Sequence, residues 1–166
     1  MVAHHGLLYR VGGFTAMNSA GEEQDLQSQD SVAQFNPKTG VWKELPPLPE
    51  PRSSHDAAVL GDTLYVAGGW NMPGAGKDRV WHQTAWALDL SREGAQWKAI
   101  AAPPFQRRAL ALAAWNGKLF CIGGMKMQGG GHLPAVDWSR IAQHWPHLKD
   151  LYFNQMPKNR QVTLVI

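Results

Sequence analysis

The residues of this chain best equipped for chemistry cluster near position 53, where Ser53-Ser54-His55-Asp56 offers hydroxyl, imidazole and carboxylate groups in one run. Nucleophilic catalysis needs those three groups to converge on a point. Neighbours on an extended chain project to opposite faces instead, so the run is not expected to form a triad. His144 and His147 stand three apart, which on a helix would suit a metal, yet no third ligand follows at a matching interval. His4 and His5 read as loop or tag-like residues near the start. Cys121 is the single cysteine, so no intramolecular disulfide can form; it lies in the apolar run Leu119-Phe120-Cys121-Ile122 and reads as a small buried hydrophobe. These patterns predict no catalytic residue, no metal site and no cofactor.

Arginine is the charged residue with a pattern. Arg52 and Arg107 lie 55 residues apart, and Arg108 follows directly. A guanidinium presents a planar fork of donors that matches a carboxylate, so arginines gathered on one face would take an acidic or polar partner. The 16 basic residues are otherwise scattered among 13 acidic ones, leaving a formal charge of +3 and no run that would track phosphates. Nucleic acid is therefore not an expected partner. No 18-residue apolar stretch occurs, and Met1-Val2-Ala3-His4-His5-Gly6 does not begin a basic-then-apolar leader. The expectation is a soluble chain without a membrane segment, with the cytoplasm favoured because no signal peptide is present.

The elements that must position these side chains follow from composition and repetition. The chain has 166 residues, 44% of them hydrophobic, with 17 Gly, 11 Pro and 8 Trp, a balance that favours short strands and tight turns over a helical bundle. Glycine pairs stand at Gly12-Gly13, Gly68-Gly69 and Gly123-Gly124, at spacings of 56 and 55 residues. An apolar run with an aromatic precedes each: Leu7 to Val11, Leu64 to Ala67 and Leu119 to Ile122. Trp42 and Trp97 keep the same interval of 55. Strands are expected at 57–60, 63–67, 84–90 and 96–100, with two-residue turns at Gly61-Asp62 and Asn116-Gly117 and a β-turn across Asn36-Pro37-Lys38-Thr39-Gly40. Four antiparallel strands in each unit of about 50 residues is the pattern of a propeller blade.

In its second unit the chain resembles the kelch repeat, through Pro51-Arg52, Leu64-Tyr65-Val66-Ala67-Gly68-Gly69, Ala87-Leu88-Asp89, Trp97, Pro103-Pro104 and Arg107. The first unit adds Gly12-Gly13, Phe35-Asn36-Pro37, Trp42 and Leu45-Pro46-Pro47-Leu48-Pro49. The resemblance covers residues 2 to 124 and implies a β-propeller of the kind that mostly binds proteins or small ligands. The expected fold is all-β: a partial kelch β-propeller of two to three four-stranded blades, with a short non-kelch α/β tail. Trp42 and Trp97 are expected between adjacent blades with the indole N–H on a carbonyl, and Tyr9, Tyr65 and Phe120 in the core.

Ala3 corresponds to Val59, so the chain starts inside the innermost strand of its first blade. The third unit loses the pattern after Gly124. Domain boundaries are expected at 1–128 for the propeller segment and 129–166 for a divergent tail, with Gly129-Gly130-Gly131 as the joint, a helix at 137–150 and a strand from Gln161 to Ile166. His144 to Leu151 and Val162 to Ile166 faintly resemble the end of aspartic peptidase domains of Pao-type retrotransposons. No Asp-Thr-Gly or Asp-Ser-Gly occurs, so peptidase activity is not carried over. Two to three blades cannot close a ring, and the chain is expected to be a fragment, a truncated or spliced product, or self-associating through open blade edges.

Alternating strands bring the segments after each glycine pair to the same face as Arg52 and Arg107. Two of these segments, 14–30 and 70–82, are read as long loops, where a repeat protein tends to carry binding function. The expected site is Arg52, Arg107 and Arg108 for a partner's carboxylates, with Phe14, Trp70 and Met125 as apolar anchors. A structural role competes, in which the arginines cap their own blade's carbonyls or pair with Glu50 or Asp56. The leading function is a binding or scaffolding module, not an enzyme, for a protein or a small polar or acidic ligand. The alternatives are a fragment of a propeller enzyme acting on sugars, mutarotase- or oxidase-like, and a product without independent activity.

Overall fold

A computed structural model of the chain describes residues 1–101, 103–126 and 162–165. The structure is built of radial sheets. The first blade is a four-stranded antiparallel meander of β1 (Val2–His4), β2 (Leu7–Ala16), β3 (Leu26–Asn36) and β4 (Val41–Leu45), paired in that order. The second contains β5 (Asp56–Leu60), β6 (Thr63–Ala67), β9 (Ala85–Asp89) and β10 (Lys98–Ala99), again consecutive in space. Between β6 and β9 a two-stranded ribbon of β7 (Trp70–Asn71) and β8 (Val80–Trp81) projects from the blade. A third sheet pairs β11 (Arg107–Trp115), β12 (Lys118–Lys126) and β13 (Val162–Val165). Its last strand runs antiparallel to β12, Leu119 opposite Val165 and Ile122 opposite Val162. The helix expected at 137–150 and the joint at 129–131 lie outside the described residues.

Register confirms the repeat. Ala3 pairs with Leu8 and Val59 with Leu64, so β1 and β5 are the same strand of successive blades. Two-residue turns close both hairpins, with positive φ at His5, Gly6 and Gly61.

Period-two alternation then builds two cores from one sheet. Leu64 and Val66 of β6, with Ala57 and Leu88, face blade 1 and pack on Val11, Val32 and Leu48. Ala58, Ala67 and Ala85 face the other way, against Phe105, Leu110, Leu112 and Cys121 of blade 3, with Tyr65 alongside. Tyr9 is buried as expected. Trp97 packs on the first core and donates its indole N–H to Pro46 O at 2.8 Å, joining blade 2 to blade 1. Trp42 departs from expectation: it is 50% exposed, with Phe35 stacked on it at 4.8 Å, because the sheet that would meet it lies on the side where blade 1 has no neighbour in the structure.

The glycine pairs make the blades fit. Gly13 N–H donates to Arg52 O at 2.9 Å and Gly69 N–H to Arg107 O at 2.7 Å, so the first two pairs dock against the next blade's arginine backbone. A Cβ on Gly68, whose φ is +71°, would lie 2.8 Å from Arg107 O and inside the Leu110 side chain. Among the described residues no helix is long and apolar enough to cross a membrane.

Candidate functional site: the loop face

The segments following the glycine pairs meet on one face, though as hairpins more than as loops. β2 runs on through Gly13 to Ala16 beyond a bulge and β3 begins at Leu26, so the irregular part of the expected 14–30 loop is residues 17–25. The ribbon β7–β8 likewise claims both ends of the 70–82 segment. The two extensions are latched together. Ser28 N–H donates to Met72 O at 2.8 Å, Gln27 bridges Pro73, and Asp25 Oδ1 accepts the Ala75 N–H at 2.9 Å. Beneath them, Ser53 Oγ and Ser28 Oγ share a hydrogen bond at 2.8 Å, and Ser28 Oγ also accepts the Met72 N–H.

Arg52 is a correction to the expected partner contact. It is wholly buried, and its donors are turned inward: Nη1 to Gly68 O at 2.8 Å and Thr84 O at 2.9 Å, Nη2 to Glu50 Oε2 at 3.0 Å and Thr84 Oγ1 at 2.5 Å. A guanidinium removed from water must find such acceptors, and a carbonyl of its own blade's glycine pair is one of them. Arg107 repeats the arrangement one blade on. It is 5% exposed and Nη1 donates to Gly123 O at 3.0 Å and Gly124 O at 3.3 Å. The 55-residue arginine interval is thus the interval of a blade latch.

The acid end of the latch has no counterpart in the repeat. Glu50 Oε2 receives Arg52, Thr84 Oγ1 at 2.5 Å, Trp86 Nε1 at 3.3 Å and His82 Nδ1 at 3.5 Å. Burial pushes the Glu50 carboxyl up, but donation from Thr84 and Trp86, with His82 and Arg52 nearby, outweighs it and holds the group below its ordinary value. His82 is pushed down by burial and by the Arg52 charge. Phe105 stands 55 residues after Glu50, and the Arg107 guanidinium lies 5.9 Å from its ring.

The run at 53–56 is pulled to separate partners. Ser53 is buried against Ser28, Asp56 Oδ2 accepts the Leu112 N–H of blade 3 at 2.8 Å, and His55 is wedged between Gly12 and Gly69. Burial and the Arg52 charge push the His55 imidazole down to about 4, so it is neutral at physiological pH. Cys121 is buried, and desolvation with the neighbouring Asp56 pushes its thiol up to about 12.

What remains accessible is a different set. Arg108 is half-buried, its guanidinium 4.0 Å above the Trp70 ring and 5.5 Å from Trp81, while exposed Arg79 lies 5.0 Å from the Trp70 ring. Trp70 is 9% exposed and stacks edge-on with Trp81 at 5.6 Å, so it serves as a platform rather than an anchor. Phe14 and Met125 are exposed by 57% and 48%. Arg79 and Trp81 were not singled out by sequence reasoning; their place in the segment after a glycine pair, beside another tryptophan, was the available signal. A separate cleft of about 600 Å³ opens between blades 1 and 2, lined by Tyr9, Gln34, Leu45, Leu88 and residues 91–95, away from these arginines.

This geometry has relatives. Mouse kelch-like protein 35 is 30% identical over 146 residues, which is 88% of this chain and 23% of that protein. Mouse kelch-like protein 13 is 33% identical over 115 residues, 69% of this chain and 17% of the relative. The chain therefore spans less than a quarter of the length of these relatives. A solved structure titled as that of YjhT superposes with a TM-score of 0.56 at 24% identity, covering 72% of this chain and 41% of the other, a likeness of fold. The kelch motif model matches residues 1–49 and 51–104. Radial sheets, the glycine-pair docking and these matches agree, and the chain belongs to the kelch-repeat family.

Proposed function

We propose that the chain is a kelch binding module whose loop face engages an acidic segment of a protein partner through Arg108 and Arg79, with Phe14 and Met125 as apolar contacts at either side. The observation that carries this reading is the pair of guanidinium groups held on the Trp70 face, one half-buried and one exposed, beside exposed apolar side chains. Stacking on an indole fixes an arginine's plane while leaving its edge donors for a carboxylate. The hairpin extensions of blades 1 and 2 are bonded to one another, which lowers the ordering cost of binding. The kinship with kelch-like proteins supports a protein partner over a small molecule.

The test is a peptide array probed with the wild-type chain and with Arg108→Ala, Arg79→Ala, Phe14→Ala and Arg52→Ala. The expected outcome is enrichment of acidic peptides, with affinity about tenfold weaker in Arg108→Ala at unchanged melting temperature, since a central anchor arginine is worth about 1–2 kcal/mol or more. Arg52→Ala should instead lower the melting temperature. Binding that ignores peptide charge, or survives loss of both Arg79 and Arg108, would overturn the reading.

A further inference from the structure

On the opposite, turn-bearing face of the sheets, two blades bring together three metal-ligating groups that the loop-face reading does not use. His4 ends β1 and His5 opens the β1–β2 turn of blade 1, and Asp62 occupies the β5–β6 turn of blade 2. His4 Nε2 lies 2.9 Å from Asp62 Oδ1, and His5 Nε2 lies 3.1 Å from the same oxygen. One ligand atom from each of the three lies within 4.8 Å of the others. Consecutive residues of a strand would point their rings to opposite faces. His5 escapes that rule with a φ of 47°, which swings its ring beside that of His4, centroids 3.9 Å apart.

We propose that His4, His5 and Asp62 bind one divalent first-row transition cation of the zinc class, clamping blade 1 to blade 2 on the turn face. Two imidazole nitrogens and one carboxylate oxygen suit zinc, copper or nickel, whereas calcium and magnesium ask for an all-oxygen shell. Bonds of about 2.0–2.1 Å in a tetrahedral shell set neighbouring ligand atoms roughly 3.3 Å apart, so 2.9 and 3.1 Å need open by only tenths of an ångström. The ligands reach across 57 and 58 residues of sequence, from the turn ends of two hairpins. His4 is packed with its side chain 16% exposed, while His5 and Asp62 are open to solvent at 75% and 52%, which leaves entry for the ion and room for water as the fourth ligand. Without the ion the two ring N–H groups donate to the carboxylate, and that keeps the three atoms gathered.

The experiment titrates the metal-free full chain with Zn²⁺ alone by calorimetry and with Co²⁺ as a visible-absorption reporter of tetrahedral nitrogen and oxygen ligation. One saturable site is expected, with a melting temperature raised by about 5 °C at a hundredfold excess over Kd, because the ion binds only where two blades are docked. Asp62→Asn and His5→Gln, both exposed and expected to fold normally, should each weaken binding by more than the roughly tenfold that loss of an outer-shell partner costs. The chain carrying His144→Gln and His147→Gln should bind as tightly as wild type. Unchanged affinity in Asp62→Asn, binding lost in the His144→Gln/His147→Gln chain, or no saturation up to about 1 mM would each overturn the proposal.

Discussion

Arg52, on the connection into blade 2, and Arg108, near the start of β11 in blade 3, are the same residue type in opposite surroundings. Arg52 has a glutamate, a threonine and two backbone carbonyls within reach and is consumed by them. Arg108 has the indole rings of Trp70 and Trp81 beneath its guanidinium, at 4.0 and 5.5 Å. His55 shows the cost of packing a titratable ring between glycine pairs. Its folded value of about 4 lies below the ordinary 6.5, so the unfolded chain takes up a proton first as pH falls. Its contribution to stability is complete above about pH 6.5 and is lost progressively down to pH 4, amounting to about 3 kcal/mol. Urea unfolding at intervals across that window should show stability falling with pH, and His55→Leu should flatten the slope by close to one proton's worth. An unchanged slope would mean that the ring is hydrated.

At the scale of the element, the glycine pair of blade 2 follows the end of β6 and is also the contact through which that blade docks on the next. Gly68 has both a left-handed φ and next-blade atoms where a Cβ would stand; Gly61 shares the φ, at +60°, but faces open space. Gly61→Ala should therefore cost about 1–2 kcal/mol through the backbone alone. Gly68→Ala should cost about 2–5 kcal/mol, since overpacking adds to it. Chemical denaturation of both variants decides the matter; equal losses would show that docking against Arg107 contributes nothing.

At the scale of the whole molecule, stability comes from stacking sheets, and each interior sheet face needs a neighbour. Trp97 has one, through the first core and Pro46 O, whereas the equivalent Trp42 is half exposed. Thermal melts should separate them. Trp97→Ala is expected to lose about 3–5 kcal/mol and Trp42→Ala less than about 1 kcal/mol. Similar losses would mean that blade 1 meets a further sheet in solution, as a second copy of the chain would supply.

Local chemistry made the repeat readable. Gly-Gly pairs, two-residue turns and apolar alternation act over a few residues, so β6 lies where its residues predict, at Thr63–Ala67, and β5 and β9 differ by one residue at their ends. Phe14 to Ala16, read as loop, became strand because β3 was available to pair with it beyond the bulge. The arginine interval was legible, but not its direction: a side chain with four acceptors within reach turns inward, and three of those acceptors belong to residues 16 and 32 positions away. Glu50, His82, Thr84 and Trp86 share one carboxylate oxygen only because two blade edges meet there. His4 and His5 read as a loose terminus until the next blade's turn set Asp62 against them. Composition and spacing thus determined that blades form. Which side chains those blades bury, and which they leave exposed, was decided by the stacking, because burial depends on distant neighbours that no local pattern specifies.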